Sequence, residues 1–325
     1  MMLMPTHAHK PSPSAEKILV IRHGAFGDIV QTDGALRDIR ARFPHAEIVL
    51  LTTAPFRKLL GRCPHIDRIL IDNRAPLWRL SALWALRTAL KNESFDRVFD
   101  LQKTDRTELY HRLFLKNTIW SGRVAGHRPA SAIDGYVTQL RDAGVEPAEC
   151  NRPNVEWMAD DVRTTLAEAG VRSPYIALIP GCAARHPHKR WPYYDQLAAA
   201  LIARGYDVVT APGPDEIELC KSIPGHTLLG PNGFLNWFEL AGVLKGACFV
   251  VGNDTGPSHV ASCLGKPGLA LFGSHTSAAR TGIRRDAFDA IEVANLTDLD
   301  VQTVLDAVLS KALCRFQWKL TSQQT

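Results

Sequence analysis

Long hydrophobic runs are missing from this chain of 325 residues: nothing approaches the ~20 apolar residues that span a bilayer, and the N-terminal Met-Met-Leu-Met is too short for a signal-peptide core. The seven cysteines (63, 150, 182, 220, 248, 263 and 314) include no C-x-x-C pair and are odd in number. That disfavours a disulfide framework and a zinc site, and predicts reduced, mostly buried thiols in a cytoplasmic protein. Neither the dinucleotide fingerprint G-x-G-x-x-G nor a phosphate loop ending in Gly-Lys-Ser/Thr follows the first strand-like segment, which removes the main support for a nicotinamide dehydrogenase or a P-loop ATPase.

What is present is globular in composition, with 46% hydrophobic and 22% charged residues and a net charge of +5. The charge is uneven. Between Phe56 and Arg128 there are 15 Lys or Arg against 7 Asp or Glu, a larger surplus than that of the whole chain. A basic first half suits an anionic partner, whether phosphorylated substrate, acidic membrane surface or nucleic acid, although a solvated face of ordinary helices has the same composition. Nucleic acid is disfavoured because the basic segment contains no known binding module.

Residues 1–16, with three prolines and two serines, read as a disordered leader. KILVIRH (Lys17 to His23) then begins a strand, glycine turn and helix, with the helix running to Phe43 and stopped by Pro44. EIVLLT (Glu47 to Thr52), RILID (Arg68 to Asp72) and RVFDLQ (Arg97 to Gln102) continue the alternation. After Asn151 the series restarts with YIALIPG, DVVTAPG, HTLLG (His226 to Gly230), CFVVGND and GLALFG. Continuous apolar strands alternating with helices predict an α/β protein of two doubly wound, Rossmann-like domains facing a central cleft, with a first domain over 17–155 and a second over 156–310. Residues 311–325 would form a tail packing back on the first domain.

Ligands of such folds bind beyond the carboxyl ends of the strands, so the strand-to-helix turns are the places to search. In Gly24-Ala-Phe-Gly-Asp28, Asp28 is either a helix N-cap or a general base aimed at a ligand. Asp100 to Arg106 gathers amide, ammonium, hydroxyl and guanidinium groups that would suit a sugar or phosphate acceptor, or form an ordinary polar loop. His186, His188, Lys189 and Arg190 place positive charge over a glycine turn, a way to neutralise a pyrophosphate. Two histidines around one proline, with no carboxylate or cysteine beside them, make a poor metal site.

Gly252-Asn-Asp-Thr-Gly-Pro-Ser-His259 leaves a strand and opens a helix, whose free amides and dipole favour an anion. Asp254 or Thr255 would cap that helix, and His259 looks like an exposed residue. The single D-x-D, Asp298-Leu-Asp300, precedes a terminal helix and reads as its cap rather than as a divalent-metal site. The segment APLWRLSALWALRTALK, with Trp78 and Trp84 beside Arg79 and Arg87, fits a lipid interface or a core helix, and the core helix is the simpler reading.

Three motifs, ILVIRHGAFGDIVQTDGAL, HKRWP and VVGNDTGPSHVASCLGKPGLALFG, resemble in order and spacing the bacterial heptosyltransferases of glycosyltransferase family 9, over about residues 17 to 310. The resemblance implies the GT-B architecture and inverting transfer of a heptose from an ADP-sugar to a lipopolysaccharide-core acceptor, a glycolipid at the cytoplasmic face of the inner membrane. It implies Asp28 as the base. Lys189 and the Thr255 and Gly256 amides fall on the diphosphate, Asp254 and His259 lie near the donor sugar, and Asp215 or Glu216 holds the ribose. The acceptor would meet Gly27, Gln102, Lys103, Thr104 and Arg106. No metal or other cofactor is expected, since the ADP-sugar is a substrate. The alternatives are a non-catalytic sugar-nucleotide-binding protein and a nucleotide-sugar epimerase of the same architecture.

Overall fold

The computed structural model describes residues 16–183 and 185–321, with side chains described to residue 311. The expected leader and the tail's side chains thus fall almost wholly outside the described residues. The chain divides into two compact units, one running to Pro129 and including Ile133–Pro153, the other taking Ala130–Ala132 and everything from Asn154 onward.

In the first unit, β1 (Lys17–Ile21), β2 (Glu47–Thr52), β3 (Arg68–Ile71), β4 (Arg97–Asp100) and β5 (Ile119–Ser121) form a sheet ordered β3-β2-β1-β4-β5. All pairings are parallel; Ile21 lies opposite both Leu51 and Asp100. Ile18 to Ile21 are fully buried, as helices on both faces require. The helix expected to run unbroken to Phe43 is two, Phe26–Gln31 and Asp33–Arg42. They join at Thr32, whose hydroxyl donates to the carbonyl of Asp28 at 2.7 Å, a local bond that competes with the helical ladder.

The second unit holds β6 (Tyr175–Ile179), β7 (Asp207–Thr210), β8 (His226–Thr227), β9 (Phe249–Asn253), β10 (Gly268–Phe272) and β11 (Phe288–Glu292), ordered β11-β10-β9-β6-β7-β8 and again all parallel. HTLLG contributes only two residues because β8 is an edge strand that pairs with β7 alone. The core beneath this sheet runs from Ile176 and Leu178 through Trp191 and Tyr194 to Val304 and Val308 on the terminal helix Val301–Thr321. The six cysteines with described side chains are free, and all but Cys248 are buried.

In each unit the first strand stands mid-sheet, and the chain departs to one side before returning to the other. The switch points fall between β1 and β4 and between β6 and β9, where a doubly wound sheet opens a crevice.

One expectation is corrected. The helix Leu80–Asn92 does pack Leu83, Leu86 and Leu90 against the first core, but Trp78 is 81% exposed and Trp84 60%. Trp84 lies on the exposed side of the helix, away from these leucines, and Trp78 lies just before the helix begins. Among the described residues no helix is long and apolar enough to cross a membrane.

Candidate active site

The turn after β1 is built on a close approach. Gly24 has φ +143°, and a Cβ there would stand 3.0 Å from the Phe56 ring, so an L side chain would be both strained and crowded. Ala25 holds the N-cap position of the helix Phe26–Gln31, which places Gly27 and Asp28 in its first turn. Asp28 is thus not the N-cap residue. Its Oδ2 accepts from the Ala25 amide at 3.1 Å and from Arg22 Nη2 at 2.8 Å, while the side chain stays 44% exposed.

Behind this carboxylate lies a buried polar network. Arg22 also donates to the Leu101 carbonyl at 2.7 Å, and the His23 amide donates to Gln102 Oε1 at 2.8 Å, which ties the ends of β1 and β4 together. Asp72 lies 3.1 Å from His23 Nε2 and accepts from the Tyr110 hydroxyl at 2.7 Å and the Arg74 amide at 2.7 Å. Burial alone would raise its pKa, but these contacts outweigh it and hold the carboxyl at about 2. Asp100, capped by the Gln102 and Lys103 amides and the Thr107 hydroxyl, is instead pushed above its ordinary range by its deeper burial.

The acceptor candidates separate. Gln102 and Lys103 stand at the switch point, with Lys103 Nζ on the Gly135 carbonyl at 2.7 Å and over the Tyr136 ring. Burial lowers the Lys103 pKa to about 8 against the pull of Asp100. Thr104 caps the helix Asp105–Phe114 by accepting from the Thr107 amide. Arg106 turns to the Ala75 carbonyl and the Tyr110 hydroxyl. With Asp72 and Asn73 it forms the polar part of a cavity of about 210 Å³, otherwise walled by apolar residues such as Ile71, Leu83 and Leu86.

In the second unit the turns after β6, β9 and β10 converge on Asp254, which is buried with 6% exposure. Its Oδ2 meets Lys189 Nζ at 2.8 Å and His275 Nε2 at 3.1 Å, and Oδ1 lies 3.6 Å from His259 Nε2. Burial opposes ionisation here too; hydrogen bonds from His259 and Lys189 overcome it and hold the carboxyl far below its ordinary range. Desolvation and the neighbouring Lys189 lower His275, although Asp254 pulls the other way. His259 is buried, contrary to its exposed look in sequence, because it points back under the turn to this carboxylate.

Asn253 fixes the geometry. It accepts from the Trp191 amide at 3.1 Å and donates to the carbonyls of Pro180 and Gly181 at 2.9 and 3.2 Å, pinning both ends of the loop that carries Lys189. Thr255 takes the N-cap position of the helix Gly256–Cys263, yet its side chain makes no capping bond to the helix amides. Among the pair Asp215 and Glu216, Asp215 is exposed. Glu216 accepts from the Gly213 amide at 3.0 Å and lies so close over Gly181 that a Cβ there would come within 2.0 Å of its carboxylate. At the chain's end, Asp300 accepts from the amide and hydroxyl of Thr303, as a cap does.

Sequence reasoning gave no role to Arg22, His23, Asp72, Tyr110 and His275, and none to Asp100 and Asn253 within the turns it singled out. A signal existed for two of them: RILID and RVFD each end a parallel strand on a carboxylate, where doubly wound folds place ligand chemistry.

Two doubly wound parallel sheets, one switch point ending in a half-exposed carboxylate and the other in a lysine beside a free helix start, make an α/β protein of the glycosyltransferase GT-B class. Residues 123–298 match the family model "Glycosyltransferase family 9 (heptosyltransferase)". The chain is 32% identical over 299 residues to lipooligosaccharide heptosyltransferase 2 of Haemophilus influenzae, covering 79% of this chain and 83% of that protein. It is 27% identical over 300 residues to lipopolysaccharide heptosyltransferase 2 of Salmonella typhimurium, with 79% and 82% covered. The structure of E. coli ADP-heptose lps heptosyltransferase II superposes with a TM-score of 0.72 at 23% identity, over 92% of this chain and 99% of that one. The chain belongs to glycosyltransferase family 9 and is a glycosyltransferase.

Proposed function

We propose that this enzyme moves a heptose, or a closely related sugar, from an ADP-sugar to a lipopolysaccharide-core or similar glycan acceptor, with inversion at the anomeric carbon. The acceptor is an anionic glycolipid met at the cytoplasmic face of the inner membrane, where the protein makes peripheral contact. The heptosyltransferases to which the chain is similar support donor and acceptor class. The observation that carries the chemistry is the Lys189 ammonium, oriented by buried Asp254 beside the uncapped start of the helix Gly256–Cys263.

In the reaction the acceptor hydroxyl oxygen bonds to the anomeric carbon as the bond from that carbon to the diphosphate breaks, and ADP leaves. The hydroxyl proton passes to Asp28, whose Oδ2 is already held by Arg22 and the Ala25 amide, leaving Oδ1 to accept it. Charge developing on the leaving diphosphate is met by Lys189 and the Thr255 and Gly256 amides, fixed before reaction and so needing no reorganisation. Glu216 takes the ribose hydroxyls, since its carboxylate sits over the ends of β6 and β7. Asp254 and His259 border the donor sugar, and Gly27, Gln102 and Lys103 border the acceptor. The second unit binds the nucleotide and the first the acceptor. No divalent metal takes part, because a lysine and helix amides supply the positive charge.

The test pairs a thermal-shift screen of ADP-, UDP-, GDP- and CMP-sugars with an assay of ADP release. ADP-heptose raises the melting temperature most, since stabilisation follows occupancy of the folded state. ADP is then released only when acceptor is added. Sugar conversion without acceptor would favour an epimerase, and binding without release a non-catalytic protein.

A further inference from the structure

The helix Leu80–Asn92 and the segment leading into it carry two sets of apolar side chains, and only one of them serves the fold. Leu83, Leu86 and Leu90 face the core, while Leu77, Trp78, Leu80 and Trp84 are 43, 81, 67 and 60% exposed. Four large apolar side chains exposed within eight residues form a patch, which soluble domains rarely carry without a partner. Its charge narrows the choice of partner. From Asn73 to Asn92 there is no Asp or Glu, whereas Arg74, Arg79, Arg87 and Lys91 all fall there. The Arg87 guanidinium lies over the Trp84 ring, 4.6 Å from its centre, so cation and indole present together.

We infer that Leu77, Trp78, Leu80 and Trp84 form a membrane-docking surface that inserts at the headgroup level of an anionic bilayer, with Arg74, Arg79, Arg87 and Lys91 on the lipid phosphates. Indole rings favour the interface of a bilayer, and a basic rim draws the helix to an anionic leaflet. A second copy of the chain is a poorer occupant: a two-fold contact on this patch would bring like charges face to face. The inference rests on the peripheral membrane contact proposed above and names the surface that makes it, while depending on none of the donor chemistry.

The experiment is flotation of the full chain with vesicles of phosphatidylcholine alone or phosphatidylcholine with phosphatidylglycerol. The protein floats with the anionic vesicles, and binding weakens but persists at ~0.5 M salt because ring insertion is not screened. Trp78→Ser with Trp84→Ser lowers the bound fraction about tenfold or more, without changing the melting temperature, since both rings are exposed. Arg79→Gln with Arg87→Gln reduces binding toward that seen with neutral vesicles. Flotation of the tryptophan variant equal to that of the unaltered protein would overturn the inference, as would failure of the unaltered protein to float with anionic vesicles. Sedimentation of a dimer that the tryptophan variant converts to monomer would place a second copy on the patch instead.

Discussion

The two units repeat one plan and finish it with opposite charge. In both, the turn after the first strand is pinned to the strand beside it by a carboxamide side chain, Gln102 on the His23 amide in the first unit and Asn253 on the Trp191 amide in the second. In the first, cationic Arg22 is buried and carboxylate Asp28 is exposed. In the second, carboxylate Asp254 is buried and Lys189 keeps the greater exposure. A shared backbone plan therefore does not fix what a switch point offers: a carboxylate offered to solvent suits proton removal, and an ammonium offered there suits an anion.

The contrast breaks first at Asp28. Asp28→Asn keeps an oxygen for Arg22 but loses the basic group, so turnover at saturating substrates falls on the order of 10² to 10⁴ while donor affinity holds. Near-normal turnover would leave Asp28 as a residue that only braces the helix start. On the other side, Lys189→Ala weakens ADP binding by about 1 to 3 kcal/mol, the loss of a charge-assisted contact, read by calorimetry. Unchanged affinity would move the nucleotide elsewhere.

A third measurement separates structure from chemistry in the first unit. Asp72 has a folded pKa of about 2, depressed from its unfolded value, so its stabilisation is full above the unfolded pKa and is lost as pH falls through the folded one. Asp72→Asn should cost on the order of 2 kcal/mol at pH 7 in urea unfolding, and the two proteins should converge between about pH 4 and pH 2. A gap independent of pH would mean the charge of Asp72 contributes nothing. The smallest effect concerns metal: dialysis against EDTA leaves sugar transfer unchanged, and loss of activity restored by magnesium or manganese would show that Lys189 does not suffice.

Much of this was legible in local pattern. KILVI and EIVLLT declare buried parallel strands because each holds an unbroken run of four apolar residues, Ile18 to Ile21 and Ile48 to Leu51, and Asp254-Thr-Gly-Pro declares a helix start because proline and a small polar residue belong there. Trp78 and Trp84 were misjudged because hydrophobicity alone does not say which side of a helix has core to meet. His259 was misjudged for the converse reason: its partner, Asp254, lies under the turn.

The sequence by itself determined most of the elements, their parallel character, the glycine turns and the family, since these follow from periodicity and from residues adjacent in the chain. Only the tertiary structure decided the pairing of Lys189 and His275 with Asp254, of His23 and Tyr110 with Asp72, and the seat of Glu216 over Gly181. These groups stand tens of residues apart, and the strand order, set by burial of whole sheets, is what brings them within hydrogen-bonding distance.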